Sequence, residues 1–201
     1  KLTGVSELNG IAVDSSDNYY VATKYSANYS GLAKYNSSGT LQWERRFSSE
    51  GYLPTSQIYQ SIKVATNGDV YVAVYFDSGN ILYLLKYNSS GTLQWQRKIY
   101  PDANASFMVI GINLSLLLDE SNSSIVCSFG MQYNTGTPIQ TNSIIKYPMD
   151  GSYTGSFSIT VSGVTATITI ATGIGSDSAG TSSDDNSGEN VVASTTSRSV
   201  L

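Results

Sequence analysis

The side chains in this chain that could do chemistry are carboxylates and phenols. Histidine is absent, which removes Ser-His-Asp and Cys-His nucleophilic catalysis, His-ligated zinc and the ordinary general base near neutral pH. Cys127 is the one cysteine, so no intrachain disulfide can form. A transition-metal site would need carboxylates alone, a poor donor set for such metals. What remains is paired-carboxylate chemistry of the kind glycoside hydrolysis uses, where separation in space matters more than spacing in sequence. Asp14 with Asp17, Asp69, Asp77, and Asp119 with Glu120 are the candidates. The run Asp14-Ser15-Ser16-Asp17-Asn18 also sets several oxygens within five residues, which makes Asp14 and Asp17 the candidate calcium ligands. It lacks the Asp-x-Asp-x-Asp-Gly spacing and the distal Glu of a dedicated calcium loop. Acids that recur at one repeat position, as Asp14 and Asp119 do, are explained more simply as turn formers, so the expectation is no metal, no cofactor and no catalytic residue.

Tyrosine is the other hint, at 15 residues. Tyr25, Tyr29, Tyr52, Tyr59, Tyr100 and Tyr133 fall in predicted connecting and hairpin loops. A phenol there can stack by its ring and bond by its hydroxyl, which suits recognition of sugar or protein. These six are the candidate ligand-binding residues. The net charge of −4 speaks against nucleic acid, which needs a basic footprint. The basic doublets Arg45-Arg46 and Arg97-Lys98 occupy equivalent repeat positions and read as structural, one member facing solvent. No segment approaches the ~20 apolar residues of a membrane helix, so no membrane insertion is expected.

The elements that would hold these residues are strands. Charged residues are only 13 % of the chain, while apolar residues reach 40 %, and the remainder is rich in Ser, Thr, Asn and Gly. Tyr, Thr, Val and Ile suit a pleated surface, and Gly and Asn supply turns. The ten residues Lys34 to Trp43 recur unchanged from Lys86 to Trp95, an interval of 52 residues (86 − 34). Ile11-Ala12-Val13 with Tyr20-Val21-Ala22 recurs as Ile62-Lys63-Val64 with Tyr71-Val72-Ala73. A worn third copy runs through Leu116–Asp119 and Ile125–Cys127 to Lys146-Tyr147, placing Cys127 at the position of Ala22 and Ala73, a core thiol. Repeats of this period mark stacked supersecondary units. Each unit resolves into four short strands, with Leu41–Phe47 alternating as a half-buried strand does.

The unit Ile11-Ala12-Val13-Asp14-Ser15-Ser16-Asp17-Asn18-Tyr19-Tyr20-Val21, followed by Lys34-Tyr35-Asn36-Ser37-Ser38-Gly39-Thr40-Leu41-Gln42-Trp43, resembles the bacterial β-propeller repeat of surface and secreted proteins. That repeat also occurs in structural proteins of tailed phages of marine bacteria. The resemblance covers roughly residues 8–159, closely in the first two copies. It departs at Asp17, where Gly is usual, and at Gly155, which replaces the third Trp. It implies an all-β, propeller-like array of about three four-stranded antiparallel blades (8–52, 61–100 and 114–159), an incomplete ring, since propellers typically have four to eight. Residues 160–172 read as an extra edge strand, opening a fourth blade or pairing with another chain, and 173–201 as a Ser/Gly/Asp-rich tail. The turn-then-Trp pattern is similar to the tryptophan-docking motif of quinoprotein dehydrogenase propellers, which implies that Trp43 and Trp95 are structural and fill gaps between blades.

By this resemblance the leading expectation for function is a non-enzymatic structural or adhesive component of a phage virion: a tail fibre, tail tip or capsid-surface protein. A bacterial secreted or cell-surface propeller that binds protein or polysaccharide is the alternative, and a carbohydrate-active enzyme is third. The implied partners are other copies of the chain, other virion proteins, and a host-surface glycan or protein. The implied location is the virion, the extracellular space or the cell surface.

Overall fold

The computed structural model describes residues 5–25, 29–48, 58–77, 80–101, 107–133, 139–161, 164–172 and 176–179. They form three antiparallel sheets, and the one helical segment among them is a 3-10 turn over Glu120–Asn122. The first sheet is a meander of β1 (Val5–Val13), β2 (Tyr19–Tyr25), β3 (Tyr29–Tyr35) and β4 (Leu41–Ser48). The second repeats it with β5 (Ile58–Val64), β6 (Val70–Phe76), β7 (Ile81–Tyr87) and β8 (Leu93–Pro101). The third holds β9 (Phe107–Asp119), β10 (Ser124–Tyr133) and β11 (Ile139–Pro148).

Identical turns fix identical hairpins. In Asn36–Gly39 and Asn88–Gly91 the Asn Oδ1 accepts from the backbone N–H groups two and four residues on, while Gly39 and Gly91 adopt φ of +80° and +79°. A side-chain amide thus stands in for a missing backbone acceptor, and glycine takes the left-handed position without a Cβ penalty. Asp17, the departure from the repeat, adopts φ +58° where Gly68 adopts +84°. Asp is one of the few residues that tolerate this region.

The sheets stack face to face with the second in the middle. One apolar cluster joins the first and second sheets through Tyr20, Leu32, Phe47, Val72 and Phe76. The other joins the second and third through Tyr71, Leu84, Ile99, Cys127 and Phe129. Strand β6 is therefore buried on both faces, all seven of its residues, which is why Val70–Phe76 reads as a continuous apolar run. The outer sheets keep exposed apolar side chains on their far faces: Leu8, Ile11 and Val13 on the first, Leu117 and Ile144 on the third. No ring closes among the described residues.

Three strand-level expectations need correction. The third sheet has three strands, because the segment expected as its fourth, now β12 (Gly155–Val161), pairs with β13 (Val164–Thr172). Strand β13, expected to open a fourth blade or to pair with another chain, pairs along β8 within the chain. Its inward residues Ile168 and Ile170 enter the second core, and β8 offered an unpaired row of backbone groups to receive it. Part of the polar tail is ordered too: β14 (Ser176–Ala179) pairs with β4, while residues 180–201 lie outside the described residues. The third correction is one of register. Cys127 pairs with Ile145 as Val72 pairs with Leu85, so it occupies the place of Val72 and Val21, not that of Ala22 and Ala73. Six residues separate Leu118 from its partner Ile125, against five between the equivalent pairs Val13 and Tyr19 and Val64 and Val70, and a one-residue slip moves every following side chain to the other face.

Candidate functional site

The most elaborate side-chain constellation is the seam where each sheet meets the turn of the next. Strand alternation puts Trp43 and Arg45 on one face of β4, two residues apart. Trp43 Nε1 donates to the Ser89 carbonyl at 3.1 Å, and the Arg45 guanidinium donates to the Gly91 carbonyl. The same pair recurs on β8. Trp95 Nε1 donates to the Met149 carbonyl at 3.2 Å, and Arg97 donates to the Gly151 carbonyl. Each indole lies on a glycine: a Cβ at Gly91 would stand 2.7 Å from Trp43, and one at Gly151 2.7 Å from Trp95. Tyr20 meets Trp43 edge-on with centroids 6.0 Å apart, and Tyr71 meets Trp95 at 6.2 Å. Both tryptophans are half-buried, at equivalent positions between sheets. The arginines were not singled out in the sequence as more than structural basic residues. The signal that could have found them is Trp-x-Arg at a strand spacing of two, twice.

The carboxylates are dispersed among separate structural tasks. Asp14 closes its own turn, accepting from Ser16 N, Asn18 N, Asn18 Nδ2 and the Tyr20 hydroxyl at 2.8–3.1 Å. Burial alone would raise its pKa, but these hydrogen bonds outweigh it and hold the carboxyl at about 2. Asp69 forms an ion pair with Lys86 at 2.8 Å, and Lys86 lies over the Tyr71 ring. Asp119 bonds Ser121 and Asn122 in the next turn and is held below the usual carboxylate range by them. Glu120 ties the third sheet to the second through Thr66 N and Oγ1. A general acid needs a carboxyl with a raised pKa, and Asp14, Asp119 and Asp150 all shift the other way. No cluster of three or more metal-ligating side chains exists among the described residues. As for Asp14 and Asp17 as calcium ligands, the Asp14 oxygens are already taken by four donor groups.

The tyrosines stand elsewhere than expected. Tyr25, Tyr29, Tyr59, Tyr100 and Tyr133 lie in strands β2, β3, β5, β8 and β10, not in loops, because a β-favouring aromatic extends the strand it ends. Tyr52 lies outside the described residues, as do the side chains of Tyr25 and Tyr59. The register puts all five at one end of their sheets, opposite the docking turns. Tyr29 is exposed. Tyr100 is half-buried beneath Lys98 Nζ, 5.2 Å from its centroid, and Tyr133 packs against the second core. They share an end and do not converge on a pocket. A void between the first two sheets, lined by Leu32, Arg45, Phe47, Val72 and Tyr87, has room for little more than a water molecule.

Cys127 is fully buried, and desolvation pushes its thiol up to about 12, the reverse of what a nucleophile needs. No helix of the described residues is long and apolar enough to cross a membrane. No family model matches the chain, and no curated protein matches it.

Proposed function

We propose that this chain is a non-enzymatic structural and adhesive component of a phage virion, a propeller-type array built into a larger particle and contacting a bacterial surface. The observation that carries the reading is the pair of open ends. Leu8 (72 % exposed), Ile11 (67 %) and Val13 (51 %) stand on the far face of the first sheet, and Leu117 (60 %) and Ile144 (73 %) on that of the third. Apolar patches of this kind mark interaction surfaces. The end bearing Tyr29, Tyr100 and Tyr133 lies away from the inter-sheet seams and is the side left to meet a host-surface glycan or protein. The side-chain inventory supports binding over turnover, because the acids and the thiol are bound into turns and cores.

The test is where the protein resides. Antibody against the chain, applied to density-gradient fractions of a lysate from its source, should label particles that also contain capsid or tail proteins. Recovery with cell envelopes alone would favour a bacterial surface propeller and sink the virion reading. Turnover of any glycan by the purified chain, lost on Asp14→Ala or Asp119→Ala, would sink the non-enzymatic one.

A further inference from the structure

We infer that the first sheet carries a vacant acceptor site for a further β-blade, one that residues 1–201 do not supply, and that the outermost strand of that blade bears a Trp-x-Arg pair. The inference rests on the assembly reading above and names the kind of blade that extends it. Three turns in the chain are equivalent: Asn36–Gly39, Asn88–Gly91 and Pro148–Gly151. Their glycines share one backbone conformation, with φ of +80°, +79° and +73°. Gly91 is buried under Trp43 and Arg45, and Gly151 under Trp95 and Arg97. Gly39 is exposed. The same turn thus appears twice filled and once empty, and the filled copies show what fills it.

The sheet face beside the turn repeats the pattern. Ile62, Val70 and Val72 of the second sheet pack against the first sheet and are 4 %, 0 % and 2 % exposed. Their repeat counterparts on the far face of the first sheet are Ile11, Tyr19 and Val21, of which Ile11 and Tyr19 are exposed. Ala33 and Glu44, further along that face, are buried, so the open part is the β1–β2 side together with the turn. The open part, with Ile11, Tyr19 and Val21 in the places of Ile62, Val70 and Val72 and a turn of the same backbone conformation, calls for the same kind of donor. A second copy of the chain does not supply it. The sequence has two tryptophans, both engaged on turns of their own chain, and among the described residues the third sheet has no fourth strand to carry such a pair.

The probe is the full chain extended by an additional copy of residues 1–52 ahead of Lys1, a blade whose own Trp-x-Arg strand is free to dock. An indole stacked on a glycine shifts its α-protons upfield, so NMR of Gly39, Gly91 and Gly151 reads occupancy directly. In the unextended chain Gly91 and Gly151 should be shifted and Gly39 not. In the extended chain Gly39 should join them, and the shift should vanish when the added copy carries Trp→Ala at its docking position. An unshifted Gly39 in the extended chain overturns the inference. One measurement needs no added blade to fold: Gly39→Asn in the unextended chain should leave the melting temperature unchanged, whereas Gly91→Asn lowers it. Equal losses would mean the turn is already filled, and would overturn the inference. So would a concentration-dependent Gly39 shift in the unextended chain, which would assign the face to a second copy. Absence of the chain from particles would sink the virion reading and leave these signals untouched, so the two failures are distinguishable.

Discussion

Trp43 lies on Gly91, its indole occupying the space that any Cβ at that position would need. Because Gly91 also holds φ +79°, the turn requires glycine twice over: once for its backbone and once for its neighbour. The Arg45 bond to the Gly91 carbonyl pins the same residue. Trp95, Arg97 and Gly151 repeat the arrangement one sheet on, so two three-residue clasps hold three sheets in line.

The clasp predicts a graded mutational series. Trp43→Ala and Trp95→Ala should each cost about 3 kcal/mol, the low end for a large aromatic because both rings are half-buried. Gly91→Ala should cost roughly 3 kcal/mol, combining left-handed strain with overpacking against the indole. Gly39→Ala should lose only the strain, ~1 kcal/mol. Urea titrations would rank them. Strict additivity of Trp43→Ala with Gly91→Ala would deny their contact, since residues that touch couple.

The repeat made the fold legible, because a ten-residue identity with an Asn-Ser-Ser-Gly turn and a half-buried strand leaves few alternatives to a stacked blade. The docking of Trp43 and Trp95 was legible for the same reason. What the sequence hid were pairings between segments unlike any in the repeat. Val164–Thr172 alternates as an edge strand does, and nothing local says whether β8 or another chain receives it. The register of Cys127 was hidden by a single added residue in the Asp119–Ser124 turn. The tyrosines were misplaced into loops because strand ends are set by pairing partners, which periodicity does not see.

Asp14 should govern part of the acid limb of stability. Its folded pKa, about 2, lies below the 3.8 of a free carboxyl. The ionised, hydrogen-bonded form therefore stabilises the fold above the free value, and that contribution is lost as pH falls from about 4 through 2. Asp14→Ala should be less stable than the parent at pH 7, and the deficit should shrink to a small remainder by pH 2, where about half of the folded carboxyl is still ionised. A difference between the two that persists undiminished at pH 2 would rule this out.

Calcium should not matter, because the donors around Asp14 leave its oxygens no free coordination. Millimolar calcium or excess chelator should move the melting temperature by less than about a degree, against the several kcal/mol that a tightly bound ion contributes by mass action. A larger shift that Asp14→Ala removes would restore Asp14 and Asp17 as ligands.

Cys127 should be silent in the native state. Full burial and a thiol pushed up to about 12 leave almost no thiolate at pH 8, and the thiolate is the reactive form. A disulfide-exchange reagent should label it only at the rate of global unfolding, rising in step with denaturant. Stoichiometric labelling within minutes in buffer would show that the second core opens at this point.

The C-terminal strands should act as an intramolecular cover for the outer edge of the second sheet. Strand β13 pairs residues 168–172 with 97–101, and Ile168 and Ile170 are buried in the second core. Deleting residues 155–201 removes both side chains, a loss on the order of 4 kcal/mol at 1.5–3 kcal/mol for each buried isoleucine. It also leaves the N–H and C=O groups of β8 unpaired, and an uncovered edge strand templates association. Light scattering should therefore find the truncated chain in larger and more polydisperse species than the full chain, with a lower melting temperature. If the truncated chain were as stable and as monodisperse as the parent, β13 would contribute nothing to the second sheet, and its place beside β8 would be in error.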